Sequence, residues 1–247
     1  MNRAVARIDM GVVRLSNQWL ERRWSAASGA TTELRLPGPS GDCLTRISPE
    51  YHVDYGPVPL AARDLGEVGW SESGSASGAS ITLEQAGDGV YLRLETFLSH
   101  TRPGMVRQME LTNTGLDPIT IPRVAVDILP LCKEEFPILK TGWEGAEIGG
   151  LPGARQLHYR ALGGIRGAIL IGSGQTEGFA LYDPHPAFCA PLWVGDYRLP
   201  PGKTWFPPCS ALFWVPEAPQ EAPVSELEGL HSDWKAHGTR GGSEDLS

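Results

Sequence analysis

Residues 80–99, SITLEQAGDGVYLRLETFLS, contain two alternating apolar segments joined by a tight turn. Apolar residues occupy every second position on both sides of Gly87-Asp88-Gly89. A period of two predicts strands with one buried face, and a Gly-rich turn between them predicts a hairpin. The same pattern continues to Leu129 without a helical repeat. We therefore predict an all-β fold, a large antiparallel two-sheet β-sandwich.

The apolar parity changes once within the last of these segments. The apolar residues are at odd positions first, Ile119 and Ile121, and then at even positions, Val124, Val126 and Ile128. A change of parity within one strand would bury polar groups unless an extra residue is inserted. The sequence therefore predicts a β-bulge at Pro122-Arg123.

Further strands are predicted from shorter patterns at 12–24, 31–36, 165–171, 178–182, 204–206 and 210–215. The aromatic and Pro-rich segment 51–60 predicts an edge strand or an irregular connection. Residues 71–80, rich in Ser, Gly and Ala, predict a flexible turn region, and the Pro-flanked segment 137–152 predicts a loop. The C-terminal segment alone looks helical, with Ser225 as the cap and Leu227, Leu230 and Trp234 on one face. We expect a single domain over residues 1–237 and a mobile polar tail over 238–247.

Composition excludes several classes of partner. The 247 residues carry a formal charge of −8 without a basic run, which disfavours nucleic-acid binding. No apolar segment approaches the roughly 20 residues of a membrane span, and residues 1–10 lack the apolar core of a signal peptide. We therefore expect a cytoplasmic protein whose four cysteines (43, 132, 189 and 209) are reduced. Neither a metal-binding motif nor a cofactor motif is present, so we expect no cofactor.

Two histidines are candidates for acid–base catalysis. Asp183-Pro184-His185-Pro186 follows a predicted strand, where functional groups are often positioned, and Asp183 could assist His185. A rigid Pro-flanked turn explains the same residues without catalysis. His158, within a predicted strand, is the other candidate, although a lone histidine in a strand is more often simply hydrogen-bonded.

Aromatic residues near acidic groups are candidates for sugar binding. Trp143 precedes Glu144, and an indole beside a carboxylate suits a sugar ring and its hydroxyl groups. Trp193 and Trp205 flank a loop that contains Asp196, and with Trp143 they could line one concave face. Core packing is the alternative for all three tryptophans.

Four segments resemble the galactose mutarotase-like, or supersandwich, domains. Residues 13–22 (VRLSNQWLER) resemble the opening strand, and 105–115 (MVRQMELTNTG) resemble the central hairpin. Residues 178–184 (GFALYDP) and 199–204 (LPPGKT) resemble late strands of the same domain. The resemblance covers most of residues 5–217 and is nearest to the N-terminal β-sandwich of α-galactosidase-like glycoside hydrolases. It implies two large antiparallel sheets packed face to face.

The resemblance also implies a role connected with sugars. Members of the family are aldose 1-epimerases or sandwich domains attached to glycosidases. The epimerases use a histidine pair and a late glutamate that find no match here, and the glycosidases keep their catalytic carboxylates in a barrel. We therefore predict a non-catalytic carbohydrate-binding sandwich that serves a separate glycosidase subunit or self-associates. The alternatives are an aldose 1-epimerase-like enzyme that uses His185, His158 and Asp183, and an assembly module that binds a protein.

Overall fold

The computed structural model describes residues 3–36, 43–44, 47–55, 60–61, 65–130, 138–141, 158–164, 167–173, 179–182, 188–207, 209–215 and 224–238. Its first strands are β1 (Val5–Asp9), β2 (Val12–Ser16), β3 (Glu21–Ser25), β4 (Thr31–Arg35), β5 (Glu50–Asp54), β6 (Leu60–Ala61), β7 (Gly69–Gly74), β8 (Gly78–Gly87) and β9 (Val90–Ser99). They are followed by β10 (Gly104–Asn113), β11 (Ile119–Pro130), β12 (Ile138–Thr141), β13 (His158–Gly164), β14 (Gly167–Ser173), β15 (Phe179–Tyr182), β16 (Phe188–Leu199), β17 (Thr204–Trp205), β18 (Ser210–Val215) and the helix α1 (Val224–Gly238).

The strands form three antiparallel sheets, which confirms the all-β sandwich with one C-terminal helix. A nine-stranded sheet has the order β12-β13-β14-β18-β10-β9-β8-β7, with β17 paired to β10. A four-stranded sheet has the order β1-β2-β3-β4, and a five-stranded sheet has the order β15-β16-β11-β5-β6. Two clusters of buried side chains show that both smaller sheets pack against the same face of the nine-stranded sheet. The two smaller sheets therefore share the second layer of the sandwich.

The hairpin of β8 and β9 forms as its sequence predicts. Asp88 and Gly89 alone connect the strands, and both have positive φ angles, 52° and 75°. This is the geometry of a two-residue type I′ turn, whose twist matches that of the paired strands. Ile81 and Leu83 on β8 and Leu92 on β9 are buried in the core beneath it.

The predicted bulge is confirmed in β11. The pairing of β11 with β16 shifts register between Ile121 and Arg123. Further shifts follow between Ala125 and Leu129 and, against β5, around Asp127. The bulges let both Ile121 and Val124 face the core, although their parities differ.

Three predicted loops contain strands. The loop predicted around Asp196, between Trp193 and Trp205, is wrong because Asp196 lies within β16. Residues 71–80 were predicted as a flexible turn region, but β7 occupies 69–74 and β8 begins at Gly78. Likewise β12 lies within the predicted loop 137–152. β7 pairs with β8, and β12 pairs with β13. Five of the six residues of β7 are exposed, so the strand lacks an apolar alternation. The boundary of the proposed tail falls at the end of α1, and residues 239–247 lie outside the described residues.

Candidate functional site

The predicted site residues fall into three groups. Trp143, Glu144, Asp183 and His185 lie outside the described residues. His158 begins β13, with Ser173 as its Cα partner on β14 in the nine-stranded sheet. Trp193 lies on β16 in the five-stranded sheet, so His158 and Trp193 belong to different layers.

Asp196 and Trp205 lie near one edge of the sandwich. Asp196 is exposed on β16, and its neighbour Tyr197 stacks on Trp205 with ring centroids 4.3 Å apart and planes 13° from parallel. Both rings pack against the core beneath while remaining partly exposed. Trp205 thus covers a core edge, and a role in sugar binding stays a prediction for both Asp196 and Trp205.

One cluster of four charged side chains in the described part of the chain is fully buried. Arg22, Glu50, Arg107 and Asp127, here called the ion quartet, have side chains that are 0–1% exposed. Their strands come from all three sheets: β3 from the four-stranded sheet, β10 from the nine-stranded sheet, and β5 and β11 from the five-stranded sheet. The ion quartet therefore joins the three sheets between the two apolar clusters.

Each guanidinium in the ion quartet binds both carboxylates. Arg22 donates to Asp127 Oδ1 at 2.5 Å and to Glu50 Oε1 at 3.1 Å. Arg107 donates to Asp127 Oδ1 at 3.1 Å and to Glu50 Oε2. Two positive charges thus alternate with two negative charges, and charge-assisted hydrogen bonds of this kind are stronger than neutral ones.

Neutral groups complete the hydrogen bonds of the ion quartet. The Trp24 indole donates to Glu50 Oε2 at 3.0 Å, and Ser210 Oγ donates to Asp127 Oδ2 at 3.2 Å. The two Nε–H groups donate to threonine hydroxyls, Arg22 to Thr31 at 2.8 Å and Arg107 to Thr96 at 3.1 Å. Buried charges are tolerated when they are paired and hydrogen-bonded in this way.

The two carboxylates stand on unusual backbone. Glu50 and Asp127 have φ angles of 69° and 64°, in the left-handed region that non-glycine residues seldom adopt. Asp127 also lies at the register shift between β11 and β5. A bulge of this kind redirects one side chain, and here it turns the carboxylate towards the two arginines.

The electrostatics of the ion quartet favour the charged form of its two carboxylates. Burial alone would raise the pKa of Glu50, but the charges of Arg107 and Arg22 more than offset it and hold that pKa below its ordinary value. The pKa of Asp127 is lowered for the same reason, with burial again opposing the two arginines. Every member is shielded from solvent, so the ion quartet presents no group to a molecule outside the protein.

A second polar group lies on the opposite, outward face of the nine-stranded sheet. Glu84, Arg93 and Glu110 are Cα partners on β8, β9 and β10. Arg93 forms an ion pair with Glu110 and lies 3.9 Å from Glu84, while Tyr91 donates to Glu84 Oε1 at 2.8 Å. These four residues, here called the outer array, are partly exposed and alternate hydrogen-bond donors with acceptors.

Burial and neighbouring charges also shift pKa values in the outer array. Partial burial and the hydrogen bond to Glu84 raise the pKa of Tyr91 to about 12. Burial would lower the pKa of Arg93, but the carboxylate of Glu110 outweighs it and raises that pKa. Near neutral pH the tyrosine hydroxyl is therefore a donor and the guanidinium is charged.

Among the described residues, Phe206 is the one exposed aromatic side chain, with 54% of its surface accessible to solvent. It follows β17, whose Thr204 is the Cα partner of Thr112 on β10, and the two hydroxyls are 2.8 Å apart. Gln108 on β10 donates to the backbone carbonyl of Pro207 at 2.9 Å. These contacts hold Phe206 beside β10, the strand that carries Glu110.

The helix α1 covers another part of the same outward face. Leu230 is fully buried, and Asp233 accepts a hydrogen bond from Ser99 at 2.6 Å. The imidazole of His237 lies 2.9 Å from both Ser75 Oγ and Ser80 Oγ. Burial lowers the pKa of His237, with the nearby Glu95 opposing this shift and His100 adding to it. The helix α1 is therefore held on this face largely by polar contacts.

The described ranges contain neither a cluster of metal ligands nor a membrane-spanning helix. No three His, Cys, Asp or Glu side chains there are grouped so as to hold a metal ion. No described helix is long and apolar enough to cross a membrane.

Together, the packed antiparallel sheets of the described residues define an all-β sandwich. The structure is similar to that of a polysaccharide lyase, with a TM-score of 0.57, 16% identity, and coverage of 85% of this chain and 34% of that one. It is similar to the galactosidase domain of the α-galactosidase–sucrose kinase AgaSK (TM-score 0.55, 11% identity, 87% and 42% covered). It is also similar to the α-galactosidase AgaB from Geobacillus stearothermophilus (TM-score 0.53, 10% identity, 94% and 42% covered).

These similarities concern the fold. The chain spans about one third to two fifths of the length of the three structures. No protein-family model matches the sequence, and no curated protein matches it. The resemblance to supersandwich domains is confirmed at the level of architecture.

Proposed function

We propose that this chain is a carbohydrate-binding β-sandwich that does not itself catalyse a reaction. The observation that carries the proposal is the outer array with Phe206 beside the same strand. Sugar rings present apolar C–H faces to aromatic rings, and their hydroxyl groups bind carboxylates, guanidinium groups and phenols. The outer array offers all three polar groups, and Phe206 offers the ring.

Two further observations support binding over catalysis. The ion quartet is closed to solvent, and its charged groups are paired with one another and hydrogen-bonded to neighbouring side chains. The similar structures are named as a polysaccharide lyase and as α-galactosidases, and this chain spans only part of their length. The proposal therefore includes a separate glycosidase subunit as the protein that such a module serves.

The test is NMR titration with galactose, glucose and neutral oligosaccharides, in which ligand broadening and anomer exchange are followed together. We expect broadening without faster anomer exchange. Phe206→Ala should weaken binding by roughly two- to tenfold, the range of one aromatic contact. Met10→Ala is the matched control, since Met10 is a fully exposed apolar side chain at the β1–β2 turn. Faster anomer exchange would contradict the non-catalytic role, and equal effects of the two variants would contradict this location of the site.

A further inference from the structure

The outward face of the four-stranded sheet carries like charges in register. Arg7, Arg14 and Arg23, here called the arginine row, are direct Cα partners on β1, β2 and β3. Neighbouring strands are about 4.8 Å apart, and like charges placed directly opposite each other destabilise a sheet. This placement is unusual in a chain whose net charge is −8.

Two glutamates on the same face of the sheet neutralise part of this positive charge. Glu21 pairs with Arg14 and, at 2.6 Å, with Arg23. Glu33 pairs with Arg23 at 2.8 Å and with Arg35 at 2.5 Å. The arginine side chains are 33–51% exposed, whereas the glutamates are only 12% and 17% exposed. The arginines of this face are therefore more exposed to solvent than the glutamates that pair with them.

One side chain of the arginine row is unpaired. Arg7 is exposed, and its side chain makes no hydrogen bond or ion pair with any residue that the structure describes. Arg14 Nε is buried without an acceptor among the same residues. Asp9, at the end of β1, is the remaining acidic residue on this face, and it forms no ion pair with Arg7. An anion placed across the row would meet the open side chain of Arg7, and at Arg14 and Arg23 it would meet guanidinium groups that also pair with Glu21 and Glu33.

We infer that the arginine row binds a polysaccharide that carries carboxylates. Guanidinium groups are planar and bind carboxylates in a bidentate manner, and a row across three strands suits a linear polyanion. The outward positions of β1–β4 carry no aromatic residue, so bases of a single-stranded nucleic acid would find no stacking partner there. This site lies on the other layer of the sandwich from the outer array and is independent of the proposed function.

The experiment is a titration with oligogalacturonate at low ionic strength. We expect binding that weakens strongly in about 0.5 M salt and is lost when the oligomer carboxylates are methyl-esterified. Arg7→Gln should weaken binding about two- to fivefold, the range of an exposed ion pair, and Arg7→Gln combined with Arg14→Gln by at least about fivefold. Arg198→Gln is the control, because it makes the same charge change at an exposed position on β16.

Several results would overturn the inference. Unchanged affinity in the double variant, equal weakening by Arg198→Gln, or equal binding of the methyl ester would each remove it. Equal binding of poly-glutamate or of single-stranded DNA would show attraction without selectivity for a saccharide and would also remove it. Phe206→Ala should leave oligogalacturonate binding unchanged, which separates this site from the outer array.

Discussion

Asp127→Asn removes one charge from the ion quartet with almost no change of shape. Asparagine tolerates the left-handed backbone found at this position, so the 64° φ angle can be kept. The substitution leaves two buried guanidinium groups opposed by Glu50 alone. Because it separates charge from shape, it tests whether the pairing of buried charges stabilises the fold.

The expected cost follows from burial. Removing one partner from a fully buried ion pair typically costs about 3–5 kcal/mol, because an uncompensated charge stays inside the protein. Domains have unfolding free energies of about 5–15 kcal/mol, so this is a large part of the total. With a urea m-value of about 3 kcal/mol/M, the unfolding midpoint should fall by about 1–1.7 M.

The assay is urea unfolding at pH 7 followed by tryptophan fluorescence. Asp54→Asn is the matched control, since Asp54 pairs with Arg123 at 2.6 Å on the surface and should cost less than about 1 kcal/mol. Adding Arg22→Gln to Asp127→Asn restores neutrality, so the double variant should lose less than the sum of the two single losses. A loss for Asp127→Asn no larger than the control, or strict additivity with Arg22→Gln, would refute the reasoning.

Three further predictions concern pH and close packing. Folding lowers the pKa values of Glu50 and Asp127. The stability that these carboxylates contribute is therefore present above their unfolded pKa values of about 4 and is lost as pH falls through their folded pKa values. The free energy of unfolding should depend less on acidic pH in Asp127→Asn than in the unmodified protein. Folding also lowers the pKa of His237, so the docking of α1 should weaken as pH falls through about 6.5. Protection of the α1 amides from hydrogen exchange, corrected for the intrinsic exchange rate, that stays constant between pH 7.5 and about 5.5 would contradict this. A Cβ at Gly104 would lie 2.6–2.7 Å from Phe213 and Leu230, so Gly104→Ala should cost about 1–3 kcal/mol in urea unfolding, whereas Gly74→Ala, with open space around it, should cost far less.

Local pattern predicted most of the architecture. The β8–β9 hairpin and the bulge at Pro122-Arg123 follow from alternation within a few neighbouring residues, and both are confirmed. β7 was missed because its side chains are exposed and its strand exists by pairing with β8. Such a strand depends on a neighbour and carries no apolar signal of its own.

The ion quartet shows what local pattern leaves out. Arg107 stands between Met105 and Met109, in the row of β10 that faces the core, so alternation already predicts a buried charge there. The acceptor could not be predicted in the same way, because Arg22 and Asp127 are 105 positions apart. The sequence also carries no signal for the left-handed backbone of Asp127, because that conformation depends on the bulge of β11 against β5.

The inner and outer charges of the sandwich are linked by the register of single strands. On β3, Arg22 points into the ion quartet and the next residue, Arg23, belongs to the arginine row. Because side chains alternate, a shift of β3 by one residue would exchange these two arginines and expose Trp24. Only one register gives Arg22 its two buried carboxylates, and the same register places Arg23 beside Arg14. The register that brings Arg22 into the buried ion quartet thus also fixes which charges the outward face presents.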